Sequence, residues 1–137
     1  MYQKLSEKLY ATLSPLVGEN IKLLERVDLS NPTIFPFAVI VEDDTAEEET
    51  IFDSISNTAV YRFKIRVVNS FADDNLRQCA DKVRTIVDEI LAKIRSVRVW
   101  DDCVQKAETS VRWGYMNEEK QRIAEIGVSF WVLVDAL

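Results

Sequence analysis

A chain of 137 residues with 17 basic and 23 acidic side chains carries a net charge of −6, which excludes a global basic footprint for nucleic acid. With 47% apolar and 29% charged residues, a chain of this size buries roughly 68–70% of its unfolded surface, so one globular domain spanning 1–137 is expected without covalent staples. Histidine is absent and there are only three glycines, which removes Ser-His-Asp and Cys-His arrangements, GxGxxG and the P-loop.

Tyr2–Val17 is expected to be a helix, because Leu5, Leu9, Leu13 and Leu16 recur at helical spacing. Pro15 should kink or stop its last turn, and Gly18 is a suitable stop. Ile21–Val27 is a short strand, and Asn31-Pro32 marks a turn. Ile34–Val41 is a second strand, apolar enough to be covered on both faces, with Pro36 at a sheet edge or bulge. From Glu42 to Ser56 the chain crowds in Glu42, Asp43, Asp44, Glu47, Glu48, Glu49 and Asp53. Mutual repulsion and low hydrophobicity predict a solvated, mobile acidic loop there, with Ile51, Phe52 and Ile55 available to dock part of it.

Thr58–Val68 alternates with a period of two: Tyr61, Phe63, Ile65 and Val67 on one face, Arg62, Lys64 and Arg66 on the other. Asp73 or Ser70 can cap the next helix, Asp74–Arg95. Leu76, Ala80, Val83, Val87, Ile90, Leu91 and Ile94 give that helix a stripe broad enough to lie on a sheet. Val97–Val104 and Thr109–Tyr115 are expected as strands, Met116–Gln121 as a polar turn, and Arg122–Val134 as the closing strand. In the last, Ala124, Ile126, Val128, Phe130, Val132 and Val134 form one apolar row, and Ile123, Trp131 and Leu133 make the other face partly apolar. The order α-β-β-β-α-β-β-β specifies an α+β fold, a mainly antiparallel sheet with two amphipathic helices packed on one side.

No constellation of reactive side chains emerges, so no enzyme, cofactor or catalytic residue is expected. The acidic stretch could attract a hard cation, but it lacks the DxDxDG spacing and has no glycine, so no metal site is expected. Cys79 and Cys103 lack CxxC spacing and an activating base; they read as free thiols in a reducing compartment. The row Arg62, Lys64 and Arg66 could meet phosphates, yet no aromatic shares its face for base stacking. Pairing with acids is the simpler reading, with Glu125 and Glu108 as candidate partners, in the same chain or on a neighbouring subunit. Trp100, Trp113 and Trp131 read as core residues, Trp131 also as an interface anchor. MYQKLSEKLY has no apolar signal-peptide region, and no apolar run is long enough for a membrane span.

Taken together, the helix YQKLSEKLYATL, the strand TIFPFAVIVED, the acidic excursion, the strand TAVYRFKIRVVNS, the helix ADKVRTIVDEILAKI and the closing strand RIAEIGVSFWVLVDA resemble the tail terminator (tail completion) proteins of tailed bacteriophages. The resemblance covers nearly the whole chain and lies in architecture, not in a sharp motif. It implies a structural virion protein: a homo-oligomer, a hexameric ring that caps the tail tube, stops its growth and joins it to the head. The implied partners are the tail tube protein and a head–tail connector or neck protein. DNA would only pass through the lumen, and no membrane is involved. The implied location is the tail or neck of the virion, after assembly in the host cytoplasm. On this reading Arg62, Lys64, Arg66, Glu125 and Trp131 are subunit-interface candidates, and Glu42, Asp43, Asp44, Glu47, Glu48 and Glu49 face the lumen or an adjacent ring. The alternatives are a head–tail connector or another neck or tail-tube component and, from a different class, a small cytoplasmic protein-binding module using the acidic loop.

Overall fold

The computed structural model describes residues 1–18, 20–26, 34–43, 49–52, 57–71, 75–116 and 120–133, with the backbone alone at 49–52, 57, 115 and 116. Helix α1 spans Tyr2–Leu13 and buries Leu5, Leu9 and Leu13 on one face. It ends where Pro15 enters, in a 3-10 turn over Ser14–Leu16. Gly18 follows with φ +140°, a region that suits glycine, and its N–H donates to the Ile21 carbonyl at 2.8 Å. That turn feeds β1, Leu23–Arg26. The rest of the order is β2 Phe37–Glu42, β3 Glu49–Phe52, β4 Asn57–Ser70, α2 Leu76–Ser96, β5 Val104–Met116 and β6 Gln121–Leu133.

Two segments differ from expectation. Within the acidic stretch, β3 pairs antiparallel with β4, Glu49 opposite Val60 through Phe52 opposite Asn57. Thr50, Ile51 and Phe52 are good strand formers, and β4 is long enough to offer them backbone partners. The flanking residues 44–48 and 53–56 lie outside the described residues. The second difference is the strand expected over Val97–Val104. Residues 97–103 are irregular, and β5 begins at Val104 and absorbs the strand expected over Thr109–Tyr115. Asp101 is the cause: its carbonyl accepts from the Val104 N–H (3.1 Å) and its carboxylate from the Cys103 N–H (3.3 Å), a turn that competes with extension. Helix α2 starts at Leu76 after Asn75, with no side-chain cap; Ser70 ends β4, and Asp73 lies outside the described residues. Pro36 precedes β2, and β2 runs inside the sheet between β1 and β4, not at its edge.

The sheet runs β1-β2-β4-β6-β5, with β3 set beside β4. Only β1 and β2 are parallel; the other pairs are antiparallel. Register does the sorting. Tyr61 stands opposite Phe130, Phe63 opposite Val128, Ile65 opposite Ile126 and Val67 opposite Ala124, so the two apolar rows share a face. Both helices cover that face, α2 over β4 and β6, α1 over β1, β2 and α2. Val83, Ile86, Val87, Ile90 and Ile94 of α2 complete the core. Phe130 sits edge-on to Phe63 at 5.8 Å and to Trp100 at 5.0 Å between centroids. The outcome is the expected α+β class, with four strands before α2 and two after.

Two polar clusters pin the helices. Lys82 Nζ donates to Asn20 Oδ1 (2.7 Å), whose Nδ2 donates to Glu89 Oε1 (2.6 Å), tying the turn after α1 to α2. At the other end, Lys4 Nζ lies 2.6 Å from Asp101 Oδ2, while Cys103 Sγ donates to Asp101 Oδ1 at 3.0 Å. The Lys4 ammonium, then the Cys103 donors, hold the Asp101 carboxyl well below the usual carboxylate range. A depressed carboxylate stabilises the fold above its unfolded value of about 3.9, and that contribution fades as pH falls further. Asp101→Asn should therefore melt lower at pH 7 and lose less stability between pH 4 and pH 2 than the unaltered chain. Thermal melts across that range check it; parallel acid curves would contradict the assignment. Burial pushes the Cys79 and Cys103 thiols up, and both are free and buried, so neither is a ready nucleophile.

Candidate assembly surface

The second face of the sheet carries no helix among the described residues, and the same register that builds the core builds its chemistry. Arg62, Lys64 and Arg66 of β4 stand opposite Ser129, Gly127 and Glu125 of β6. On the β2 side, Lys64 and Arg66 stand opposite Val41 and Val39. Glu125 bridges two of the three cations: its Oε2 lies 3.6 Å from Lys64 Nζ and its Oε1 3.5 Å from Arg66 Nη2. Asp43 Oδ1 adds a second acid 3.6 Å from Lys64 Nζ, and its N–H donates to the Arg62 carbonyl at 3.0 Å. Glu108 pairs instead with Lys106 of its own strand at 3.1 Å, because β6 stands between β5 and β4. These groups are partly exposed, so each pair is worth only about 0–1 kcal/mol and acts more on specificity than on stability.

An apolar patch occupies one end of this face. Phe37, Val39 and Val68 are buried there among Leu23, Phe35, Val41 and Ile123. At the other end Trp131 is half-buried, with Lys106 Nζ 4.4 Å from its ring centroid. The face thus runs from an apolar end through a charged middle to Trp131. Gly127 lies in the charged middle, where an added Cβ would come within 2.8 Å of Ser110 Oγ, so β5 and β6 are closely packed there.

The five interface candidates, Arg62, Lys64, Arg66, Glu125 and Trp131, all fall on this face. Of the acidic candidates, Glu42, Asp43 and the backbone of Glu49 are described. Glu42 is exposed at the end of β2, Asp43 joins the Lys64 pair, and the Glu49 backbone belongs to β3. Asp44, Glu47 and Glu48 lie outside the described residues. No group of acids, cysteines or histidines suited to a metal occurs among the described residues. No described helix is long and apolar enough to cross a membrane.

Trp100 packs on the core, as expected, but Trp113 is 40% exposed. It lies on the outermost strand, where Arg84 and Arg122 stack on it at 5.5 and 5.3 Å instead of aliphatic cover. Two contributors escape the sequence, Asp43 as a partner of Lys64 and Lys106 as a partner of Trp131. Alternation along β5 would have indicated Lys106, but the irregularity between Val104 and Lys106 resets the count.

No protein-family model and no curated protein sequence matches this chain. Among solved structures, it is similar to a chain of the "Virion of native gene transfer agent (GTA) particle", with a TM-score of 0.63 and 13% identity over 94% of each chain. At that identity the likeness is one of fold, and it extends over both helices and the sheet together.

Proposed function

We propose that this chain is a structural virion subunit: a tail terminator that forms a ring, caps the tail tube and joins it to the head or neck. The observation that carries the reading is the likeness of fold, along 94% of both chains, to a chain of a virion particle. The chemistry agrees with it. A chain without histidine, with buried, raised thiols, is suited to holding surfaces together and not to proton or acyl transfer. The open face provides a large surface of mixed character, and contacts between two different surfaces close into a ring when the rotation permits. Six copies is the number we propose, with the tube's last ring on one side and a neck protein on the other. DNA passes through the lumen without being gripped. A head–tail connector would share the ring but would not bind the tube end.

Sedimentation and negative-stain electron microscopy of the purified chain, alone and with polymerised tail tubes, test this. Rings near six subunits that seat on tube ends are expected. A monomer under every concentration and salt condition, with tubes present, would overturn it.

A further inference from the structure

The acidity of this protein is concentrated in one stretch. Residues 42–56 hold seven of the 23 acids and none of the 17 bases, so the other 122 residues carry 16 acids against 17 bases, a net +1. The described parts of that stretch lie on one side of the strand order. The stretch leaves the end of β2 and includes β3, which pairs only with β4 among the described strands. At the far end of the strand order lies β5, whose described partner is β6 alone. Past the irregularity between Val104 and Lys106, its register continues unbroken to Met116. Among the described residues, one long backbone edge therefore lies open to a further strand.

A groove of about 300 Å³ runs beside that edge, between β5 and the end of α2. Ile94, Trp100 and Ala107 give it an apolar wall, and Arg95 and Arg98 a cationic one; Lys106 borders it, its ammonium turned to Trp131 on the other face. Lys106 already has Glu108. Arg95 and Arg98 are exposed and make no ion pair among the described residues. An open edge beside a groove accepts an extended segment as an added strand: backbone bonds supply affinity and the side-chain walls supply choice. These walls ask for carboxylates and a few apolar side chains. Residues 42–55 of a second copy supply both, six acids besides Asp43, which is paired with its own Lys64, together with Ile51, Phe52 and Ile55.

We infer that the groove between α2 and β5 of one copy receives the acidic stretch 42–55 of a second copy, with Arg95 and Arg98 meeting its carboxylates. The inference rests on the ring reading, since it joins two different surfaces head to tail, the type of contact that closes into rings. It places the acids between subunits and not along the lumen. It also makes assembly salt-sensitive, because the charges that meet are exposed beforehand.

The test compares sedimentation of the full chain, of Arg95→Glu with Arg98→Glu, of Glu47→Lys with Glu48→Lys, and of an equimolar mixture of the two variants. Each variant alone should associate at least about tenfold more weakly, the scale of one lost interfacial charge pair. The mixture should recover association, because each altered groove then meets an oppositely altered stretch. Circular dichroism confirms folding before each run. Independently, Arg95→Lys with Arg98→Lys keeps the charge and permits carbodiimide cross-linking; peptides joining positions 95 or 98 to 42–55 should appear in the dimer band. Normal association of the Arg95→Glu, Arg98→Glu chain, no recovery on mixing, or a dimer band lacking those peptides would each overturn the contact while rings still formed. Failure of the unaltered chain to form rings would overturn the ring reading and this contact with it.

Discussion

Phe130→Ala should cost about 3–5 kcal/mol of folding stability, the range for truncating a fully buried aromatic. Phe130 is wholly buried in β6, where its ring meets Phe63 of β4 and Trp100 of the segment after α2, both edge-on. Removing it leaves a cavity where the sheet and the post-helical segment meet, and the two other rings each lose an edge-to-face partner of about 0.5–1.5 kcal/mol. Collapse around the cavity is restricted, because β6 is hydrogen-bonded on both sides, to β4 and to β5. Urea unfolding checks the result. A loss below about 1 kcal/mol would mean that this aromatic cluster does not anchor the core.

Leu9→Ala should cost about 2–5 kcal/mol and act locally first. Leu9 is the middle of the buried row Leu5, Leu9 and Leu13, by which α1 rests on β1, β2 and α2. Few polar contacts back that row up. Lys4 reaches Asp101, and Arg26 Nε donates to Ser6 Oγ at 3.1 Å. Hydrogen exchange should therefore show the α1 amides losing protection before those of β4 and β6. Equal loss throughout would show that α1 opens only with the whole molecule.

The core was legible in the sequence because strand alternation and helix spacing are local signals. Tyr61 to Val67 and Ala124 to Val132 declared their faces, and pairing β4 with β6 needed only that both apolar rows turn inward. Glu125 was legible as a partner of the basic row by the same parity. Where a local signal met a competing one, the reading failed. Seven acids outweighed Thr50, Ile51 and Phe52, so β3 was hidden, although a neighbouring strand can hold a short segment whatever its charge. Val97 and Val99 spoke for a strand, but the Asp101 turn decided the path. Trp113 was hidden for another reason: its exposure depends on β5 ending the sheet, and strand order is not written in any one segment.

The charged middle of the open face has a consequence for the subunit before it meets any partner. A sheet face presenting only apolar side chains such as Leu23, Val41 and Ile123 would stack on any other sheet of similar shape. Lys64, Arg66 and Glu125 make such stacking selective, since each must surrender hydration and find a matching charge in register before the surfaces touch. If copies assemble as proposed, the ladder would act as a gatekeeper, holding newly made copies apart until the correct neighbour arrives.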